Sequence, residues 1–108
     1  MTLTMATNHT ITEKQRRWLK GEAHSLKPVV MVGQAGLTAG VLAELDLALS
    51  HHELLKVKVA AGDREVRDAI IAPMVEQSGA TLVNRIGNIA VLYRANPKKP
   101  SPLALPAL

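Results

Sequence analysis

KPVVMVGQAGLTAGVLAELDLALSHHELLKVKV, residues Lys27 to Val59, is the stretch on which the fold of this chain turns. Val29–Val32 is an apolar run of strand length. Gly33-Gln34-Ala35-Gly36 follows it and opens into a segment where Val41, Leu42, Leu45, Ala48 and Leu49 form one apolar stripe at helical spacing. Thr38 stands at the N-cap of that helix. His51 and His52 fall at or just past its last turn, where positive charge suits the helix dipole. Leu54–Ala60 then alternates, with Leu55, Val57 and Val59 on one side and Lys56 and Lys58 on the other. Strands joined through a helix in this way run parallel, with a right-handed crossover. The unbroken apolar character of Val29–Val32 predicts a strand covered on both faces or lying inside the sheet.

Working outward, Thr12-Glu13-Lys14-Gln15 fits a capping box, with a threonine at the N-cap and a glutamine three residues on. It predicts a helix from Glu13 to about Ser25. Leu19, Ala23 and Leu26 lie on one side of it, and Arg17, Lys20 and His24 on another arc. Pro28 ends helical structure before it by forcing Lys27 into an extended conformation. Beyond the opening stretch, Gly62-Asp63 marks a turn, and Asp63 caps a third helix from Arg64 to about Ser78. Val66, Ile70 and Met74 mark the buried side of that helix. Pro73 inside it predicts a kink costing about 3 kcal/mol unless packing compensates. Gly79 is the expected left-handed residue after it. Thr81–Ile86 and Ile89–Arg94 flank Gly87-Asn88, a two-residue hairpin signal. The order is α-β-α-β-α-β-β. It predicts an α/β domain, a four-stranded mixed sheet with three helices, the last two strands antiparallel. The domain spans 12–95. Residues 1–11 are expected to be a flexible extension, and the proline-rich 96–108 an extended, flexible tail without a packed ending.

Bulk properties narrow the function. The chain has 108 residues, 47% of them apolar, which suffices for one domain with its own core. Thirteen Lys+Arg against nine Asp+Glu give a formal charge of +4, and the pI is about 9.8. That balance favours an anionic partner. The absence of cysteine excludes a disulfide framework and a cysteine-based zinc site, and fits a reducing cytoplasm. No apolar run approaches the ~18 residues of a membrane span, and no secretory signal is expected. Trp18 and Tyr93 are the two aromatic residues, too few for a base-stacking platform.

Gly33-x-x-Gly36 before a helix start suits the capture of a phosphate by backbone N–H groups, and equally suits an ordinary tight turn. It is neither a Walker loop nor the dinucleotide fingerprint. Lys56 and Lys58 add positive charge on one strand face, although lysines also guard exposed sheets. Arg64 and Arg67 alternate with Glu65 and Asp68 and read as ion-paired surface. His51-His52-Glu53 has no third ligand at metal-binding spacing. No nucleophile, acid–base pair or cofactor motif is evident, so neither an enzyme nor a metal or cofactor site is expected.

Leu19-Lys20-Gly21, Ala23-His24, Leu26-Lys27-Pro28-Val29-Val30, Gly33-x-x-Gly36-Leu37-Thr38, Val41-Leu42-x-Glu44-Leu45, Ala48-Leu49 and His52-Glu53-Leu54-Leu55-Lys56-Val57-Lys58 closely resemble the CRM domain, the chloroplast RNA splicing and ribosome maturation domain. The single-domain bacterial form is the YhbY family. The resemblance covers about 12–95 and takes in Asp63-Arg64-Glu65, Ser78-Gly79-Ala80 and Val91-Leu92-Tyr93-Arg94. It implies a fold similar to the C-terminal domain of translation initiation factor three, and RNA binding through a GxxG loop analogous to that of KH domains. It also implies association with precursors of the large ribosomal subunit. The loop interior, Gln34-Ala35, carries no cation, so its phosphate contacts must come from the backbone or from neighbours such as Lys27.

The expected binding residues are therefore Lys20, Lys27, Gly33, Gln34, Ala35, Gly36, Thr38, Lys56 and Lys58, on a monomer that acts on precursor rRNA within a pre-ribosomal particle, away from membranes. Two other readings stay open. One is a KH-like or Alba-like module for DNA or double-stranded nucleic acid. The other is a domain that docks a ribosomal protein through its apolar tail or sheet face.

Overall fold

The computed structural model describes residues 11–60, 62–99, 103 and 105–107. The expected extension 1–11 lies outside them except for Ile11. Helix α1 (Glu13–Ala23) starts at the capping box: Gln15 N donates to Thr12 Oγ1 at 3.0 Å, and Thr12 N donates to Gln15 Oε1 at 2.9 Å. Strand β1 (Pro28–Val32), helix α2 (Ala39–His52), strand β2 (Leu54–Val59), helix α3 (Arg64–Ser78) and strands β3 (Thr81–Ile86) and β4 (Ile89–Tyr93) follow in the expected order. Helix α3 runs through Pro73 without interruption and ends at Gly79, whose φ of 72° is left-handed.

The sheet order is β1-β2-β4-β3. β1 and β2 are parallel, β2 and β4 antiparallel, and β4 and β3 antiparallel, so the final hairpin inserts β4 beside β2. β1 is consequently an edge strand. Its burial alternates, with Val30 and Val32 buried but Val29 46% and Met31 59% exposed. The expectation of an interior strand fails here, because an apolar run of four carries no record of which neighbours cover it.

Alternation on β2 divides the core into two. Leu55, Val57 and Val59 join Val30, Val32, Ala90 and Leu92 under Leu45 and Leu49 of α2 and Ile70, Ile71 and Met74 of α3. On the other face, Leu54, Val83, Val91 and Tyr93 pack against Leu19 and Ala23 of α1. Each fully buried leucine, valine, isoleucine or methionine among them contributes about 1.5–3 kcal/mol. Arg16 of α1 also guards the open edge of the sheet, donating through Nη1 to Leu82 O and Val83 O of β3 at 2.6 and 2.9 Å. Arg94, just past β4, ties α2 to the end of α3. It donates to Asp46 Oδ1 and Ser78 O, both at 2.8 Å, and to Ser50 Oγ at 3.0 Å.

Several of the described residues of 96–108 are packed, in contrast to the expected ending. Leu103 and Leu105 add to the α1-side core, and Gln15 Nε2 donates to Pro106 O at 2.9 Å. The anchor is Glu53, the C-cap of α2, 1% exposed and with a φ of 63°. Its carboxylate accepts the N–H of Asn96 at 3.0 Å and of Leu103 at 2.8 Å, and lies 3.4 Å from Lys99 Nζ. Proline content does not prevent Leu103 and Leu105 from being partly buried once a carboxylate holds the backbone beside them.

Burial alone would push the Glu53 carboxyl up. The N–H groups of Asn96 and Leu103 and the Lys99 ammonium outweigh burial and hold it below its ordinary 4.5. A lowered folded-state value means that Glu53 contributes its full stability above pH 4.5 and loses it as pH falls through the lower folded-state value. Glu53→Ala strands two part-buried N–H groups and should lower unfolding free energy by about 2–3 kcal/mol. Urea titrations across pH check both effects: Glu53→Gln should flatten the acid limb of the stability profile, and a variant with wild-type stability would contradict the anchor.

Candidate nucleic-acid interface

Helices α2 and α3 begin where β1 and β2 end, so their N-termini gather at one end of the sheet. The β1–α2 connection is a turn closed by Gly36 N donating to Gly33 O at 3.0 Å. Gly36 has a φ of 76°, a left-handed conformation that glycine adopts without a Cβ penalty. Gly33 has no positive φ, and a Cβ built on it meets nothing within 4 Å. Nothing in the chain's own packing accounts for a glycine at 33, where a side chain would enter open space.

Several N–H groups of the loop are already committed. Gly36 N serves the turn, Thr38 N donates to Gly36 O at 3.1 Å, and Val41 N donates to Thr38 Oγ1 at 3.1 Å. Among the described residues, the N–H groups of Gln34, Ala35 and Leu37 have no intramolecular partner, and the first turn of α2 adds its own unpaired donors. Gln34 Nε2 donates to Ala60 O at 3.4 Å and ties the turn to the end of β2. Of the predicted loop residues, Gln34 and Ala35 thus present backbone donors, while Gly33 leaves room, Gly36 shapes the turn and Thr38 caps the helix.

The lysines lie along a track rather than around the loop. Lys58 pairs with Met31, two residues before Gly33. Lys56 sits two residues further back, half-buried, its Nζ donating to His24 O at the end of α1 at 3.4 Å. Lys27 precedes β1, about 20 Å from Gly33 at ~3.3 Å per residue, so it is not a loop neighbour as expected. Lys20 occupies the last turn of α1, exposed. The register puts Met31, Lys58, Ile89 and Ile86 in one row across all four strands. Met31 and Ile86 are 59% and 62% exposed, since α1 covers only the other half of this face. Sequence reasoning missed these two flanking apolar residues, because only strand order shows that they share a row with Lys58.

Residues 11–94 match the CRS1 / YhbY (CRM) domain, and the match covers every helix and strand. The chain belongs to this family. A Haemophilus influenzae CRM relative named "RNA-binding protein" is 53% identical over 97 residues, covering 90% of this chain and 96% of its own length. A Pseudomonas aeruginosa "probable RNA-binding protein" is 48% identical over 88 residues, covering 82% and 85%. The solution structure of a hypothetical protein from Staphylococcus aureus superposes with a TM-score of 0.76 at 29% identity, covering 90% of this chain and all of that one. The CRM fold is thus three helices on a four-stranded mixed sheet. Among the described residues, no helix is long and apolar enough to cross a membrane, and no cluster of His, Asp and Glu could hold a metal ion.

The two loop glycines of this CRM domain should separate in a stability measurement. Gly36→Ala must accept a left-handed φ and should cost about 1–2 kcal/mol. Gly33→Ala enters open space and should change unfolding free energy by less than about 0.5 kcal/mol. Equal losses in urea unfolding would show that Gly33, too, is held by the fold.

Proposed function

We propose that this CRM domain is a non-catalytic RNA-binding factor in the assembly of the large ribosomal subunit, acting on precursor rRNA through the GxxG loop and the lysines beyond it. The observation that carries the reading is the free N–H groups of Gln34, Ala35 and Leu37 at a helix start, beside an open sheet row containing Lys58. The names of the relatives support RNA as the ligand, and the family resemblance extends this to the large subunit.

The loop holds one phosphate on backbone donors, and the helix dipole of α2 favours the negative charge. From there the RNA backbone runs over Lys58 and Lys56 toward Lys27 and Lys20. Met31 and Ile86 give the row an apolar floor. Phosphate contacts position the strand without reading its sequence. Tyr93 is buried and Trp18 packs on the α1-side core, so neither offers a free stacking face. Selection then rests on the shape of the RNA. Leu103 and Leu105 are occupied within the domain's own core, which weakens the alternative of a docking tail.

With about four phosphates neutralised, log K for a single-stranded RNA should fall with log salt at a slope of about −3. Lys58→Gln should make that slope shallower by about 0.7. Gly33→Asp should weaken binding while leaving thermal unfolding nearly unchanged. Fluorescence anisotropy with a labelled RNA checks each of these, and a salt-independent affinity refutes the reading. Competition with DNA of the same sequence separates RNA from general nucleic-acid binding. Nuclease treatment of ribosomal fractions separates RNA-dependent association from protein docking.

A further inference from the structure

A second set of cations occupies the same end of the sheet. Arg64 and Arg67 of α3, Arg85 of β3 and Gly87 of the hairpin line a cavity of about 300 Å³. Local alternation suggested that Arg64 and Arg67 pair with Glu65 and Asp68. Instead, Asp68 pairs with Arg85 of β3, and among the described residues Arg64 has no partner. Arg67 donates through Nη1 to Gly62 O at 3.0 Å, while its Nε is buried with no partner among the described residues. Arg85 Nε reaches Gly87 O at 3.4 Å. Asp63 is engaged as the N-cap of α3, with Val66 N on its Oδ1 at 3.1 Å. Three guanidinium groups therefore line one cavity, and among the described residues only that of Arg85 is paired with a carboxylate.

We propose that this arginine cavity is a second phosphate-binding site, for the backbone of the same RNA that the GxxG loop holds. It rests on the RNA reading above. Three observations carry it. Arg67 leaves its Nε without an acceptor among the described residues, so the fold's own hydrogen bonds do not use up this guanidinium. Guanidinium groups match phosphate oxygens with paired donors, so several of them converging on a cavity are suited to a phosphate. The cavity is also fixed to the loop's end of the sheet: Val59 N donates to Asn88 O at 2.7 Å, and Ala60 O accepts Gln34 Nε2. In the order β1-β2-β4-β3, the two sites are two to three strand spacings apart, about 10–14 Å. An RNA strand held at both would wrap around this end of the sheet, from the lysine track on the α1 face to the start of α3.

The test measures RNA affinity of the full chain against salt for the wild type, Arg64→Gln and Arg64→Gln/Arg67→Gln. Lys14→Gln/Arg17→Gln on α1 serves as a control that removes the same charge elsewhere. Arg64 makes no interaction that the fold needs, so Arg64→Gln should unfold at the wild-type temperature. The arginine variants should bind more weakly, with a salt slope shallower by about 0.7 for each phosphate that is no longer neutralised, and the control should keep the wild-type slope. In NMR spectra, the Arg67 Nε–Hε signal should move when RNA is added. Wild-type affinity and slope in both arginine variants overturn the inference, as does a control that weakens binding as much as they do. An Arg67 signal that moves with inorganic phosphate but not with RNA overturns it in favour of a small-anion site. If Gly33→Asp weakens RNA binding while the arginine variants do not, only this second site falls. If the wild type binds no RNA, the reading of function falls with it.

Discussion

The register of β2 is the constraint on which the rest depends. It is one of the two interior strands, parallel to β1 on one side and antiparallel to β4 on the other. Leu55, Val57 and Val59 must face α2 and α3, which leaves Leu54 under α1 and Lys56 and Lys58 on the same face beyond it. A one-residue slip would bring both lysines into the larger core and expose three aliphatic side chains. The strand that closes the core therefore also positions the open cationic row, and neither can shift without the other. Glu53 sets where this strand begins. Its positive φ turns the chain sharply out of α2, and its buried carboxylate binds the segment after β4 back against the α1-side core.

Much of this was legible in the sequence because it is local. Thr12, Thr38 and Asp63 each cap the helix they were expected to cap, and Gly87-Asn88 turns the hairpin as expected. Alternation of leucine, valine and lysine along β2 distinguished its two faces. What failed to show was non-local. Insertion of β4 beside β2 makes β1 an edge, and the run Val29–Val32 is equally apolar whether it lies at an edge or inside. Asp68 stands next to Arg67 in sequence but pairs with Arg85 on β3. Glu53 reads as a surface residue beside two histidines, and its partners Asn96 and Leu103 lie more than forty residues away. Composition misled over the tail, since proline content reports on regular structure and not on burial.

The candidate site was legible as residues but not as a shape. The nine expected positions centre on one loop in sequence terms, yet they are distributed from that loop down the length of two strands to the end of α1. Two glycines that read as one motif have different reasons: Gly36 is required by its own φ, whereas Gly33 is required by nothing the chain places near it. The mechanism narrows accordingly, because the turn and the cap consume the N–H groups of Gly36, Thr38 and Val41, leaving those of Gln34, Ala35 and Leu37 for a ligand.

Helix polarity sorts the cations into those the fold explains and those it does not. The C-terminus of α1 lies at the start of β1, and its carbonyl end favours positive charge whatever the protein binds. Lys20 in its last turn and Lys56, hydrogen-bonded to His24 O, have that structural role. The opposite end of the sheet carries the N-termini of α2 and α3, where the dipoles disfavour cations. Yet Arg64 stands in the first turn of α3 without a partner among the described residues, Arg67 leaves a buried Nε unsatisfied, and Lys58 lies exposed beside the loop. Asp63 and Glu65 offset part of this charge at α3, but the first turn of α2 holds no acidic residue, so there positive charge adds repulsion to the folded state. An anion held there would turn that repulsion into attraction, and the open turn at Gly33 leaves space for one. The end of the sheet where positive charge is least favourable for the isolated domain is thus the end that the proposed phosphate contacts would relieve.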